Sequence, residues 1–559
     1  MRTTVMVILV VFGTQLGWGD PVIIRFIDKS SEALTPVRVE LLDKAGEPLI
    51  ADNAIPLSSD CAFAPLPNWL SQPPKTSLLN PFTGTHQHYV AGVGRYQLEP
   101  GEYRLRVFKG SEFKVSERQL VVSEHASQFH VEMERWHESV DAAWVSSDVH
   151  LHIGRGARES DTIVAQWMAA EDLHIANLLQ MGALTHFAAS PQYSFDESRR
   201  MNSLLVPGQE HPRTHLLGHS LSLGGSRAVD ERASYIQYDR TFRKVRAAGG
   251  INGFAHWGAG PSRDGIALNA HLGNVEILEV LGVGALYIDT WYELLNMGFR
   301  IAAVAGTDFP CLAGIPGRER TYLQIDRELS RAGMVDALRQ GRTFVTNGPM
   351  LRFSVEEADI GAHLELEHLD SLHVRGELHY DANRDSMQGL ELVHNGDVIR
   401  AWDLTSEQGS FQFSEVVSLP SSGWIALRAG GVKLGETLTT SFPAWMSAGF
   451  SNWMAGANAP EIDELLEGGQ PRRSYAHTSP IYVESNDYPQ PKVDPTSWLT
   501  RLDELETMLR REDHQDLLIW DWMPYSDGVS EDHIRLNTSQ LLEQIRGARE
   551  DFVRRRNLQ

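Results

Sequence analysis

The stretch Ser147-Asp148-Val149-His150-Leu151-His152 places one carboxylate and two imidazoles at alternate positions. In an extended strand, residues two apart point to the same face, so Asp148, His150 and His152 would converge on one small volume. Neutral imidazoles and carboxylates are the ligands that zinc, iron and manganese accept. A lone histidine on a strand is usually only a satisfied side chain, but three such groups aimed at one point predict a metal site.

Further ligand candidates lie where predicted strands end. From about residue 146 to 350, apolar strand runs alternate with helical patterns, which is typical of parallel strands in a closed or nearly closed barrel. Functional groups of such barrels lie at the carboxyl ends of the strands. The candidates are His150 and His152 after the first strand, Glu210 after 203–206, His219 after 214–217, His256 after 251–255, Glu279 within 275–280 and Asp308 after 301–305. Buried groups of these types around one barrel mouth call for a compensating cation.

Helical patterns lie between these strands. The predicted helices are 160–172, 228–248, 289–297 and 332–340, and an apolar run at 174–179 predicts a second buried strand. We expect the segments 190–202 and 258–273 to be loops that shape the pocket.

Several short motifs occur in a fixed order along this region. They are Asp148-x-His150-x-His152, Gly208-Gln209-Glu210 with Gly218-His219, Ala255-His256, the run 275–280, Gly306-Thr307-Asp308 and the segment Gly341 to Pro349. The ordered set resembles the polymerase-and-histidinol-phosphatase (PHP) metallohydrolases, and specifically their carbaryl- and carbamate-hydrolase (CehA/McbA) branch. The resemblance covers residues 146–350, a little over a third of the chain.

The resemblance implies a distorted seven-stranded β/α barrel that binds divalent metal, either zinc, manganese or iron. By position, His150 and His152 match the family's first-strand ligands, and Glu210 matches its bridging carboxylate. His256 and Asp308 match the third-motif histidine and the final aspartate. The resemblance also favours Glu279 as a ligand, because it precedes Val280 as in the family's Glu-Val pair; Glu276 would face the other side of a strand.

Two departures from the family pattern bear on the number of ions. The family's late Asp-x-His is here Asp308-Phe309-Pro310, and its Thr-Asp-His after the second strand is replaced by residues 178–182, Leu-Leu-Gln-Met-Gly. Two lost ligand positions predict one or two ions rather than three. Cys311, beside the altered motif, is either a soft ligand or, as we favour, a buried thiol.

These features predict a metal-dependent hydrolase that attacks an ester, amide or carbamate bond, since a bound divalent ion lowers the pKa of water from about 16 to about 7. Asp308 or Glu210 would take the proton, and His219 would donate one to the leaving group or stabilise the developing charge. Arg155, Arg213 and His215 are candidates for binding an anionic substrate, or are simply solvated side chains. The alternatives are a PHP-type phosphoesterase and an inactive metal- or carbohydrate-binding surface protein.

The N-terminal sequence and the net charge indicate where the protein works and what it does not bind. Met1-Arg2, an apolar run at 5–12 and the small residues Gly17 and Gly19 predict a signal peptide over residues 1–19, and therefore export to a periplasmic or extracellular space. The apolar run is too short for a stable membrane span. The net charge of -23 argues against nucleic-acid binding. The expected partner is a small-molecule or surface-glycan-linked substrate.

At 559 residues the chain predicts several domains. We expect a β-sandwich over 20–135, whose segment 94–103 resembles carboxypeptidase-regulatory-like domains, the PHP-like barrel over 140–350, and a second β-sandwich over 351–445. A loop-rich segment and a helical tail fill 446–559. The predicted fold class is therefore α/β, with a barrel flanked by two sandwiches. A Cys61–Cys311 disulfide is permitted by export but joins different predicted domains.

Overall fold

The computed structural model describes residues 21–57, 76–80, 85–124, 128–136, 143–181, 190–214, 216–256, 262–282, 285–310, 315–325, 328–385, 387–404, 409–430, 474–511 and 529–557. The predicted signal peptide, Cys61, His215, Cys311 and most of the predicted loop-rich segment lie outside these ranges.

Within the described ranges the chain is a strand-rich mixed α/β protein with seven α-helices. The helices are α1 (Ser160–Ala170), α2 (Tyr238–Ala247), α3 (Ser262–Ala270), α4 (Asp289–Asn296), α5 (Arg331–Arg339), α6 (Thr496–Leu509) and α7 (Glu531–Asn557). The strands up to the first motif are β1 (Val22–Asp28), β2 (Val37–Leu42), β3 (Leu78–Asn80), β4 (Thr85–Val90), β5 (Val93–Tyr96), β6 (Gly101–Phe108), β7 (Ser116–Val122), β8 (Gln128–Met133) and β9 (Trp144–Leu151).

The strands of the central part are β10 (Ile175–Met181), β11 (Ser198–Arg200), β12 (Ser203–Glu210), β13 (Arg213–Thr214), β14 (Gly218–Leu223), β15 (Ile251–Phe254), β16 (Ile277–Gly282), β17 (Ala285–Leu286), β18 (Ala302–Ala305), β19 (Arg320–Gln324) and β20 (Thr343–Thr346). The last strands are β21 (Met350–Val355), β22 (Ala358–Asp359), β23 (His363–Glu365), β24 (Leu372–His379), β25 (Gly389–His394), β26 (Asp397–Asp403), β27 (Ser410–Val417), β28 (Gly423–Gly430), β29 (Tyr475–Thr478) and β30 (Ile481–Glu484).

The N-terminal unit consists of two sheets over one apolar core. One sheet has the order β5-β1-β8 and the other β3-β4-β2-β6-β7. Buried residues alternate along β1, where Val22, Ile24 and Phe26 point into the core shared with Val39 and Leu105. This period of two is what a strand with one covered face requires.

The candidate ligands lie on a curled, half-barrel sheet with the order β9-β10-β12-β14-β15-β16-β18. Every residue of β10 and β12 is buried, as expected for strands covered on both faces. Leu151 at the end of β9 forms a parallel bridge with Phe309, which follows β18. The two ends of the sheet therefore approach each other beside the first motif.

Strand β14 runs antiparallel to both of its neighbours, β12 and β15. The predicted strand at 214–217 was wrong, because the backbone N–H of Leu217 donates to Thr214 Oγ1 (2.9 Å) in a turn, and the strand begins only at Gly218. The connection 211–217 is too short for the crossover that a parallel neighbour needs. His219 therefore lies at the start of its strand, at the same sheet edge as the ends of the parallel strands.

Most of the predicted elements of this region are confirmed with shifted ends. Helix α1 ends two residues early, and α2 covers only the second half of the predicted helix 228–248. The expected loop 258–273 contains α3. A side chain at Gly265 would overlap the carbonyl oxygen of Leu217, so this glycine serves close helix packing rather than a loop.

The sheet continues past the predicted boundary at residue 350. Strand β20 pairs with β29, which pairs with β28, and β28 pairs with β25. A separate four-stranded sheet, β22-β21-β24-β27, packs over this extension around Phe353, Leu378, Leu392 and Leu427. The backbone ladders thus join the site region to the C-terminal β-structure.

The C-terminal helices dock on the body of the protein. Trp498, Leu502 and Phe552 belong to the same buried cluster as Phe254 and Trp291 of the site region. Arg501 forms a bidentate ion pair with Asp264 on α3, at 2.9 Å for both contacts. Among the helices in the described ranges, none is long and apolar enough to cross a membrane.

Candidate metal centre

Four histidines and two carboxylates meet at one edge of the curled sheet. They are His150, His152, Glu210, His219, His256 and Asp308, all from the predicted set. His150 is on β9 and His152 just beyond it, Glu210 ends β12, and His219 starts β14. His256 and Asp308 follow β15 and β18. Residues from five strands therefore form one cluster although up to 158 positions separate them in the sequence.

Each of the two most buried histidines is fixed by the nitrogen that faces away from the cluster. His150 Nδ1 lies 2.9 Å from Glu279 Oε2, and His152 Nδ1 lies 3.2 Å from the carbonyl oxygen of Leu179. In neutral rings that donate from Nδ1, each Nε2 atom carries a lone pair, and the two Nε2 atoms lie 3.1 Å apart. Tetrahedral zinc ligands at about 2.05 Å would be about 3.3 Å apart, so this spacing suits two ligands of one ion.

The two carboxylates each turn their two oxygens to different histidines. Asp308 Oδ1 is 3.0 Å from His152 Nε2 and 3.4 Å from His150 Nε2, whereas its Oδ2 is 3.8 Å from His256 Nε2. Glu210 Oε2 is 3.3 Å from His152 Nε2, and its Oε1 is 2.6 Å from His219 Nδ1 and 3.7 Å from His256 Nε2. One oxygen of each carboxylate thus lies near His152, and the other lies near His256.

The close contact between Glu210 and His219 lacks the alignment of an ordinary hydrogen bond. Glu210 Oε1 and His219 Nδ1 are both buried atoms without a hydrogen-bond partner among the described residues, although they are 2.6 Å apart. A buried polar atom left without a partner costs about 1–3 kcal/mol, more when it is charged. Two lone-pair atoms that approach without aligning for a proton fit a shared cation, so the donor set fits a divalent metal.

The burial of this cluster perturbs its titration. Burial lowers the pKa of His152, but Asp308 and Glu210 outweigh it and raise that pKa to about 9. For His256, burial likewise opposes Glu210 and Asp308, which raise its pKa to about 9. Burial lowers the pKa of His219 to about 4. Burial acts to raise the pKa of Glu210, but Arg213 and His219 hold it well below the ordinary value.

Two of the candidate ligands have strained backbones. His256 has φ of 21° and Asp308 has φ of 53°, in the left-handed region that non-glycine residues rarely adopt. Such conformations cost about 1–3 kcal/mol each and persist only where the surroundings enforce them. His256 lies two residues after β15 and Asp308 three residues after β18, where the left-handed backbone turns their side chains into the cluster.

Glu279 lies in the cluster as the partner of His150 Nδ1. It does not belong to the groups of ligand atoms that approach one another within 4.8 Å among the described residues. Metal-binding histidines usually donate their second N–H to a carboxylate, and the position of Glu279 is of that kind. Its predicted role as a direct ligand stays a prediction.

The three predicted substrate-binding residues differ in their positions relative to the cluster. Arg213 is half-buried, with Nε 3.5 Å from Glu210 Oε2, so it lies at the rim of the cluster. Arg155 is fully buried and donates to Asp161 (2.8 Å), Gln192 (2.7 Å) and the carbonyl of Ser194 (3.1 Å). These contacts hold neighbouring chain segments together. His215 lies outside the described residues.

The sequence motif did not reveal how Asp148 is used. Among the described residues, its carboxylate does not belong to the groups of possible metal ligands. It accepts hydrogen bonds from backbone N–H groups and from the Thr307 hydroxyl. Side chains alternate along β9 as predicted. The spacing of side chains cannot indicate, however, that the Asp148 carboxylate is surrounded by backbone N–H groups. The Gly306-Thr307-Asp308 motif was the available signal for Thr307.

Comparison of the chain with protein-family models, with curated proteins and with solved structures gives no match. Membership of the PHP metallohydrolases therefore stays a prediction. The buried histidine and carboxylate groups could hold a metal ion.

Proposed function

We propose that the protein is a metal-dependent hydrolase. The observation that carries the proposal is the approach of Glu210 and Asp308 oxygens to the Nε2 atoms of His150, His152 and His256 at 3.0–3.9 Å. Together with His219, these groups form one buried set of metal-ligand atoms. A salt-bridge network that only stabilised the fold would not need four histidines around two carboxylates. The proposed cofactor is one or two ions of zinc, manganese or iron.

The two oxygens of each carboxylate face different histidines, and this arrangement supports two neighbouring ion sites. The first would use His150 and His152 with Glu210 Oε2 and Asp308 Oδ1, and the second would use His219 and His256 with the other two oxygens. Glu210, which is 1% exposed, and Asp308 would then both bridge the two sites. A bound divalent metal would polarise the electrophilic group of the substrate and supply a water that ionises near neutral pH.

The exposure of the side chains supports a division of roles within the proposed site. His150, His152 and Glu210 are at most 1% exposed and hold the site together, whereas the Asp308, Arg213 and His219 side chains are 11%, 19% and 29% exposed. In this proposal Asp308 would accept a proton from the attacking water. His219 and Arg213 would contact the scissile group and stabilise developing negative charge.

The finer fold and the location of the protein belong to the same proposal. The seven strands from β9 to β18 and the Leu151–Phe309 bridge support a distorted seven-stranded barrel of the PHP type. The paired sheets of the N-terminal unit and the C-terminal β-structure support two flanking sandwiches. Export to a periplasmic or extracellular space is proposed from the sequence of residues 1–19.

The test measures metal content and turnover together. The full chain without residues 1–19 is purified, analysed for metals, stripped with a chelator and reloaded with zinc, manganese or iron. Turnover of p-nitrophenyl acetate, an aryl carbamate and p-nitrophenyl phosphate is measured at each stage. We expect activity on at least one compound, lost with the chelator and restored by one of the metals.

Two variants of equally buried histidines sharpen this test. His152→Gln removes a proposed ligand, whereas His88→Gln changes a buried histidine of the N-terminal unit. We expect the first to lose metal and at least about 100-fold in turnover, and the second to keep both. Turnover that persists unchanged without metal would overturn the proposal. Bound metal with no turnover of any compound would favour the inactive binding protein.

A phosphoesterase is the second candidate, and Arg213 is the observation that favours it. A half-buried guanidinium beside the bridging carboxylate is suited to phosphoryl oxygens, which guanidinium groups bind in a bidentate manner. Under this alternative, p-nitrophenyl phosphate would be the preferred compound of the three. Arg213→Lys would then reduce its turnover more than the turnover of the ester.

A further inference from the structure

Asp148 is the first acidic residue of the opening motif, and its carboxylate is completely enclosed. It is 0% exposed. Its Oδ1 accepts from the backbone N–H of His150 (3.0 Å) and of Thr307 (3.1 Å). Its Oδ2 accepts from the Thr307 hydroxyl (2.6 Å) and from the backbone N–H of Gly317 (2.9 Å). Four donors on two oxygens satisfy an ionised carboxylate and leave no room for a ligand role.

The four donors come from three separate chain segments. His150 belongs to β9, Thr307 directly precedes Asp308, and Gly317 belongs to the segment that leads to β19. Asp148 therefore ties the strand that carries His150 and His152 to the segment that carries Asp308. The strained left-handed backbone of Asp308 follows immediately after the anchored Thr307.

The packing around these segments leaves little alternative to this arrangement. A Cβ atom at Gly306 would overlap the Cβ of His150 and lie 3.2 Å from Asp148 Oδ1. Gly317 has φ of 69°, and a Cβ there would overlap Leu173. Both glycines permit backbones to approach Asp148 closely enough to donate to it. Arg320 also fixes the backbone at Gly317, because its Nε donates to the Gly317 carbonyl (2.6 Å).

We propose that Asp148 is a positioning residue that sets the distance between Asp308 and the His150–His152 pair. The inference rests on the proposed function, since it concerns how this metal site is assembled. Asp148 acts through Thr307 and touches neither ion nor substrate. Its effect is therefore on metal affinity and ligand geometry, and only through them on turnover.

The substitution Asp148→Asn changes the donors and acceptors with little change in shape. The amide oxygen can still accept from His150 and Thr307, but the amide nitrogen would face the N–H of Gly317, another donor. We expect zinc affinity, measured by competition with a chromophoric chelator, to fall by about 10–100-fold. The visible spectrum of the cobalt-loaded variant should also differ from wild type, because it reports ligand geometry.

A milder pair of variants addresses the case in which Asp148→Asn does not fold. Thr307→Val removes only the hydroxyl donor to Oδ2, and Thr307→Ser keeps it. We expect Thr307→Val to weaken zinc binding by at least about fivefold and Thr307→Ser to restore it to nearly the wild-type value. A role in general stability alone would not separate the two variants in their cobalt spectra.

The matched controls are buried residues away from the site. Asp385→Asn changes a carboxylate that pairs with Arg384 and accepts from Ser474 (3.0 Å). Thr343→Val removes a buried hydroxyl that donates to the carbonyl of Ala303 (2.8 Å). Both should leave zinc affinity and the cobalt spectrum unchanged.

The outcomes separate this inference from the proposed function. If wild-type protein binds neither zinc nor cobalt, the proposed function fails, and the role of Asp148 fails with it. If wild type binds metal and Asp148→Asn or Thr307→Val binds it within about twofold with the same cobalt spectrum, only the positioning role is overturned.

Discussion

Side-chain orientation at the candidate metal centre is decided by hydrogen bonds with groups outside the proposed ligand set. Glu279 and the Leu179 carbonyl hold the two Nδ1 atoms of His150 and His152, and Asp148 holds the backbone at Thr307. Without these partners, the rings and the Asp308 carboxylate would sample several rotamers, and part of the binding free energy would be used to order them. The preorganised site follows from contacts by groups that are not ligands.

Away from the site, His88 provides a prediction on pH. Burial lowers its pKa to about 3 from the ordinary 6.5, so the folded protein keeps His88 neutral where the unfolded chain binds a proton. Its contribution is complete above pH 6.5 and is lost as the pH falls from 6.5 toward 3. At pH 5 the loss is about 2 kcal/mol. We expect His88→Gln to flatten this part of the dependence of the unfolding free energy on pH.

Urea unfolding at pH 7.5 and pH 5.0, in the presence of chelator, measures this difference. The exposed histidine variant His373→Gln is the control and should retain the wild-type dependence. Equal pH dependence in His88→Gln and wild type would show that the histidine is not buried as a neutral group.

The residues that meet in the candidate metal centre were predictable from the sequence because they lie at strand ends. His150, His152, Glu210, His256 and Asp308 follow apolar runs, and parallel strands bring such positions to one edge. The position of Glu279 beside His150 Nδ1 was not predictable, because a residue's place within a strand does not distinguish a ligand from a ligand's hydrogen-bond partner. The contacts of Arg155 depend on loop structure that has no sequence pattern.

At the scale of elements, the reversed strand β14 and the helix α3 show where pattern reasoning fails. Strand direction depends on connection length, and the boundary of β14 depended on a turn held by Thr214. Helix α3 is short and contains Gly265, so its local sequence favours a loop. Its packing against the body and its contact with α6 override that preference.

The close approach of β15 to β16 provides a prediction at this scale. A Cβ atom at Gly253 would overlap the backbone carbonyl oxygen of Ile277, so Gly253→Ala should destabilise the protein by about 3 kcal/mol. At Gly225 the nearest atom to such a Cβ is 3.6 Å away, and Gly225→Ala should change stability by less than about 1 kcal/mol. Urea unfolding followed by circular dichroism measures both. Equal stability of the two variants would contradict the observed strand spacing.

At the scale of the molecule, a buried ion pair and two tyrosine hydrogen bonds join the N-terminal unit to the site region. Arg38 Nε and the Tyr89 hydroxyl both lie 2.7 Å from Glu171 Oε1 at the end of α1, and Tyr322 donates to Glu112 at 2.7 Å. These charges come from segments distant in sequence, and no local pattern indicates their pairing. The docking of the C-terminal helices was likewise beyond sequence reasoning, although their helical character was predictable.

Removing Glu171 tests this junction. Glu171→Ala leaves the buried Arg38 without its main partner, and the free energy of unfolding should fall by about 3 kcal/mol. The control Glu134→Ala removes the partner of two exposed lysines and should cost less than about 1 kcal/mol. Limited proteolysis should release the N-terminal unit faster in Glu171→Ala alone. Equal loss of stability in both variants would contradict a buried junction.

Metal stoichiometry tests the account most directly. Chelator-treated protein is dialysed to equilibrium against zinc, manganese or iron, and bound metal is counted by elemental analysis for wild type, His152→Gln and His88→Gln. The account predicts one or two ions per chain in wild type and in His88→Gln, and a trace in His152→Gln. Wild-type protein that binds none of the three metals, or His152→Gln that binds as much as wild type, would contradict it.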